Sequence, residues 1–380
     1  MKNKNFKDQT RAIQASLGHD IKSNPVSNSI TLSSIFIRNK DGSYDGDFGY
    51  SRASNPNRKI LERAIAELEY GEEAIAFASG MAAITAVFQT LKPGDHCIIP
   101  DDVYFNVTLL EEDILTDWGW EFTRVDASDP ANVEQAIQAN TRLIWLESPS
   151  NPLLKVTDIQ AVCKLVNDKE ILVAVDNTWP SPVLMNPLEL GADISVHSTT
   201  KYFGGHSDVL GGCVVLKEKG ALAEKIRNIQ IICGAVPAPF DCWLVTRGIQ
   251  TLPLRMRAQT ENAQKLAEFL SAHPAIEDVF YPGLESHPGH EVAKKQMNNG
   301  FGAMISVLIK KGEQAAKDIV HRLELFTPAS SLGGVESLVE HRRSIEGDRS
   351  TAPPNLVRIS VGIEDSEDLI NDWKQALNSL

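Results

Sequence analysis

From about residue 60 the chain alternates between two periodicities, and this alternation restricts the fold more than any other feature. The stretch NRKILERAIAELEYG repeats apolar residues at helical spacing and stops at Gly71, after which AIAFAS reads as a strand running straight into the helical GMAAITAVFQTL. HCIIP, EFTRVD, RLIWLESPSNP, ILVAVDNTW and DISVHS read as successive strands, with the helical segments NVEQAIQA and TDIQAVCKLVND between several of them. Strands separated by helices predict an α/β fold with a mostly parallel sheet covered on both faces. After about residue 240 the pattern changes to a long helical stretch, TRGIQTLPLRMRAQTENAQKLAEFLSAH, followed by the shorter strands AMISVLI and LVRISVG. A chain of 380 residues exceeds what one hydrophobic core organises. The expected division is an N-terminal arm over 1–50, a large α/β domain over 51–240 and a smaller C-terminal α+β domain over 241–380. The arm has little periodicity and needs something to lie against.

Composition narrows the partners. A formal charge of −13 repels a phosphate backbone, and no basic run is interleaved with aromatics, so nucleic acid is not expected. The basic start MKNKNFKDQT is followed by no apolar core, and no stretch approaches the roughly 18 apolar residues of a membrane span. No membrane partner and a cytoplasmic location are the expectation. Cys97, Cys163, Cys213, Cys233 and Cys242 form an odd set without CxxC spacing and read as reduced core thiols. No metal is expected: Pro288 and Gly289 keep His287 and His290 off one helix face. His206, Ser207 and Asp208 have triad chemistry but are sequence neighbours, which do not reach relay geometry.

The chemistry concentrates at strand ends, where ligands bind in open α/β sheets. In DISVHSTTKYFGGHSDVLGG, Lys201 follows a strand and sits between the hydroxyls of Ser198, Thr199 and Thr200 and the turn at Gly204 and Gly205. Ser79, Gly80 and Met81 form a strand-to-helix turn, whose free N–H groups and positive helix end attract an anion such as phosphate. Asp176 emerges from the apolar strand ILVAV and needs a cation to remain ionised. Tyr104, in PDDVYFN, offers a flat face for a planar ring. A phosphate cradle, an acid for a ring nitrogen, a stacking aromatic and a nucleophilic lysine are the parts that pyridoxal 5'-phosphate requires.

ESPSNPLLKVTDI, VDNTW, LGADISVHSTTKYFGGHSDVLGG, SLGGVESL and LVRISVGIEDSEDLI closely resemble the γ-family of pyridoxal-phosphate enzymes of cysteine and methionine metabolism, the family of cystathionine γ-synthases and γ-lyases. The similarity runs from YSRASNPNR to the C-terminus. It implies the fold type I (aspartate-aminotransferase-like) architecture, with Lys201 and Tyr104 catalytic. Gly80, Met81, Ser198 and Thr200 would hold the phosphate, Asp176 the ring nitrogen with Thr178 beside it, and Arg358, Asn151 and Ser331 the substrate. Tyr50 and Arg52 would reach the cofactor phosphate of a neighbouring subunit, in a homotetramer built as a dimer of dimers with shared active sites.

The activity so implied is γ-replacement or elimination on a sulfur-containing or O-acylated amino acid. The alternatives are a cystathionine β-lyase or methionine γ-lyase type of C–S lyase, or a non-catalytic cofactor-binding relative. Two departures bear on specificity. Phe105 and Asn106 stand where the family commonly has small residues, and Leu109 stands where an arginine meets the substrate's distal carboxylate. Ser330 replaces a glutamate before SLGG, and EHRRSIEGDRSTAPPN is unusual. These predict weak selectivity for cystathionine, unless Arg342 or Arg343 reaches the same pocket.

Overall fold

A computed structural model describes residues 6–17, 26–44 and 46–378. Seven strands form the larger sheet: β1 (Glu73–Phe77), β2 (His96–Pro100), β3 (Glu121–Val125), β4 (Thr141–Glu147), β5 (Leu172–Asp176), β6 (Ile194–His197) and β7 (Gly212–Leu216). Their order is β1-β7-β6-β5-β4-β2-β3, parallel except that β7 runs against both its neighbours. Because β1 and β6 both oppose β7, the C-terminal ends of β1, β2, β4, β5 and β6 share one edge. The central strands β4, β5 and β6 are mostly apolar and nearly all buried, as helices on both faces require.

A second sheet, of five strands, comprises β8 (Ile276–Phe280), β9 (Met304–Ile309), β10 (Thr327–Pro328), β11 (Leu338–His341) and β12 (Leu356–Ser360), in the order β10-β11-β12-β9-β8. It is antiparallel apart from the short β10–β11 pair. One hydrophobic core joins the two lobes, with Val173 and Val215 of the first sheet in the same cluster as Leu266, Val307 and Val357 of the second lobe.

Two sequence expectations need correction. The long helical stretch after residue 240 is two helices, Pro239–Ile249 and Leu252–Ser271. Pro253 explains the break, since proline is tolerated in a first helical turn and not further inside. The arm also contains a helix, Asp8–Ala15, which buries Arg11, Ala12 and Ala15.

Candidate active site

The shared strand edge faces the small lobe across a cavity of about 550 Å³. Of the site residues expected from sequence, Gly80, Met81, Tyr104, Asn151, Asp176, Thr178, Ser198, Thr200, Lys201, Ser331 and Arg358 all line it. Tyr50 and Arg52 do not. Tyr50 is 49% exposed, while Arg52 donates to the Ile231 carbonyl and lies 5.5 Å from the Tyr50 ring centre. The His206, Ser207 and Asp208 set does not converge either: His206 Nδ1 lies 2.8 Å from the Gly204 carbonyl, and Ser207 bonds Glu336.

The anion cradle is built by a helix cap. Ser79 accepts from the Ala82 N–H at 3.1 Å and starts the helix Gly80–Phe88, whose first residues, Gly80 and Met81, line the cavity. A Cβ on Gly80 would lie 2.8 Å from Ser198 Cβ and Oγ, so only glycine permits this approach. Thr178 links the next two strand ends. Its Oγ1 accepts from the Ser198 N–H at 2.9 Å, while its own N–H donates to Asp176 Oδ1 at 2.9 Å.

Asp176 is buried, and burial pushes its carboxyl up despite the Thr178 hydrogen bonds. Among the described residues it forms no ion pair. Tyr104 is held at both ends: its N–H donates to Glu147 Oε2 at 2.9 Å, and its hydroxyl accepts from Asn106 Nδ2 at 3.1 Å. Lys201 Nζ donates to Ser331 Oγ at 2.7 Å. Burial, reinforced by the Arg358 charge, pushes the amine down to about 8. Ser331 reaches it with a φ of 125°, a conformation that costs a non-glycine residue strain.

On the small lobe Arg358 projects from β12, its Nη1 donating to Asn151 Oδ1 at 2.9 Å. Its Nη2 pairs with Glu340 Oε1 at 2.7 Å, across the β11–β12 ladder. Arg342 Nη1 meets the same oxygen at 2.8 Å, and its Nε lies 2.6 Å from Glu346. Arg342 lines the cavity, whereas Arg343 does not.

An anion cradle, a buried carboxyl awaiting a cation, an aromatic face and an amine of lowered basicity fit pyridoxal phosphate. Sequence reasoning missed Glu147 and Glu340. Glu147 ends β4 directly opposite Asp176 on β5, so the strand-end criterion that found one would have found the other. Glu340 sits inside a strand, and only the cross-strand register reveals it.

The family model of Cys/Met metabolism PLP-dependent enzymes matches residues 9–378. Cystathionine gamma-synthase of Mycobacterium tuberculosis (strain ATCC 25618 / H37Rv) is 47% identical over 374 residues, covering 97% of this chain and 96% of that one. Cystathionine gamma-lyase of Bacillus subtilis (strain 168) is 45% identical over 383 residues, 99% of this chain and 100% of the relative. The crystal structure of metB from Corynebacterium glutamicum superposes with a TM-score of 0.97 at 44% identity, covering 100% of this chain and 99% of that chain.

Proposed function

The chain belongs to the Cys/Met metabolism PLP-dependent enzymes, and on that premise we propose that it catalyses γ-replacement or elimination on sulfur-containing or O-acylated amino acids, as a cystathionine γ-synthase or γ-lyase does. The observation carrying this reading is the placement of Lys201, Asp176 and Arg358 around one cavity. A cofactor carrier that performed no chemistry would have no use for a buried arginine held ready for a substrate carboxylate.

Pyridoxal phosphate, when bound, supplies an electron sink for negative charge developing at the substrate α-carbon. The residues supply the rest. The helix at Gly80 and Met81, with Ser198 and Thr200, would hold the phosphate, and Asp176 would keep the proton on the ring nitrogen. Tyr104 would cover the ring and exchange protons beside it. Arg358 clamps the α-carboxylate with its planar fork, aimed by Asn151 and Glu340. Lys201 Nζ takes and returns protons along the substrate carbons, and Ser331 fixes where that nitrogen stands.

Leu109 gives the cavity an apolar side chain, and the buried guanidinium of Arg342, held by Glu340 and Glu346, supports recognition of an anionic substrate tail. Incubation with cystathionine, homocysteine, methionine, cysteine and O-acyl-homoserines, with product identification, tests the activity. 2-Oxobutyrate or a new thioether is the expected product; pyruvate alone would mark a β-lyase, and no product from any of them would sink the reading. For the tail, Arg342→Gln is expected to lower kcat/KM for cystathionine more than for O-acetyl-homoserine. Equal losses would remove Arg342 from tail recognition.

The exposed apolar arm supports assembly with other copies: Leu32, Ile35 and Ile37 are 73%, 67% and 92% exposed. We place Tyr50 and Arg52 in a neighbour's site, in a dimer of dimers. No helix among the described residues is long and apolar enough to cross a membrane. The cysteines are free, four of them buried, which supports a reducing, cytoplasmic setting.

A further inference from the structure

Asn106 lines the cavity in the first turn of the helix Phe105–Leu110 and donates from Nδ2 to the Tyr104 hydroxyl at 3.1 Å. We propose that Asn106 is a positioning residue, aiming the Tyr104 phenol and favouring its deprotonated form by donating a hydrogen bond to its oxygen. The proposal deepens the reading in which Tyr104 covers the cofactor ring and exchanges protons there.

The backbone of Tyr104 is already fixed by Glu147, so Asn106 acts on the remaining freedom, the direction of the hydroxyl. Helix formation does not explain an asparagine at this place, because alanine is the better helix former. The phenol is in a contested field. Burial pushes it up, Arg342 and Arg358 from the small lobe pull it down, and Glu147 at the end of β4 and Asp176 at the end of β5 push it up again; Lys201 lines the same cavity. A donor on the phenol oxygen binds the phenolate more strongly than the phenol, so it adds to the pull of the two arginines. An acceptor at the same place would do the opposite.

The test is a spectrophotometric titration of tyrosinate in the holoenzyme, with each protein read against its own Tyr104→Phe counterpart to isolate this one phenol. Asn106→Ala is expected to raise the Tyr104 pKa by about one unit. Asn106→Asp, nearly identical in shape, should raise it further, since its carboxylate accepts from the phenol and stabilises the neutral form. The isosteric aspartate variant decides alone if the alanine variant does not fold. A phenol titration that stays in place in the folded variants overturns the assignment, because a merely structural asparagine would not move it. The pH profile of kcat/KM separates this from the underlying reading: a phenol pKa that moves while the rate profile stays fixed upholds Asn106 and removes the proton-transfer role of Tyr104.

Discussion

Lys201 illustrates how one residue's chemistry is set by what surrounds it. A neutral amine is the nucleophile, so in the proposed site cofactor capture would follow the fraction of Lys201 that is unprotonated. With the amine pushed down to about 8, the rate at which the cofactor-free protein takes up pyridoxal phosphate should rise through that pH, well below where an ordinary lysine loses its proton. The neighbouring cations make the sign testable. Arg358→Gln removes a positive charge that disfavours the ammonium, so the midpoint of capture should move to higher pH. A midpoint that stays put in this variant, or a parent midpoint in the range of a free lysine, would contradict the electrostatic account. Lys201 and Asp176 were legible in the sequence because each stands at or just past the end of a recognisable strand, and Arg358 because LVRISVG resembles the family's own segment. Arg342 was legible only as one of two candidates: the sequence left Arg342 and Arg343 open, and only the fold turns Arg342 into the cavity while Arg343 remains outside.

At the scale of elements, the cradle depends on a helix start placed against the loop after β6. Gly80→Ala sets two effects in opposition. Alanine favours the helix over glycine by about 0.5–1 kcal/mol. Its Cβ would also press on Ser198 at 2.8 Å, displacing a hydroxyl assigned to the phosphate. The variant is therefore expected to melt within a few degrees of the parent while its cofactor Kd rises at least about tenfold, the factor that about 1.4 kcal/mol of lost contact produces. Equilibrium titration with pyridoxal phosphate measures this, and unchanged affinity would show that the cradle does not need the close approach. The larger sheet was readable because its strands are continuous apolar runs between helices. In the second sheet β8, β10 and β11 escaped. β10 has two residues and β8 is interrupted by the adjacent exposed Glu277 and Asp278, so neither carries an apolar signal strong enough to stand apart from a loop.

At the scale of the whole molecule, the arm's position outside its own cavity gives a mixing experiment. An Arg52→Ala chain and a Lys201→Ala chain, each inactive alone, are unfolded and refolded together. If Arg52 serves a neighbour, hybrid dimers contain one site with both an intact arginine and an intact lysine, and activity returns. Refolded mixtures that contain hybrids but remain inactive would mean that each site draws on one chain. The division of the cavity between two sheets has a separate thermodynamic result. Asp176 and Lys201 stand on one lobe and Arg358 on the other, so a bound amino acid touches both and has no equivalent partner in the unfolded chain. By linkage, occupancy raises the free energy of unfolding by about 2.7 kcal/mol when free ligand is about a hundred times its Kd. Calorimetric melting of the holoenzyme with an unreactive amino-acid analogue should thus show a midpoint that climbs with ligand concentration, and in Arg358→Gln the climb should be largely lost. The temperature at which this protein unfolds becomes a gauge of how much substrate surrounds it.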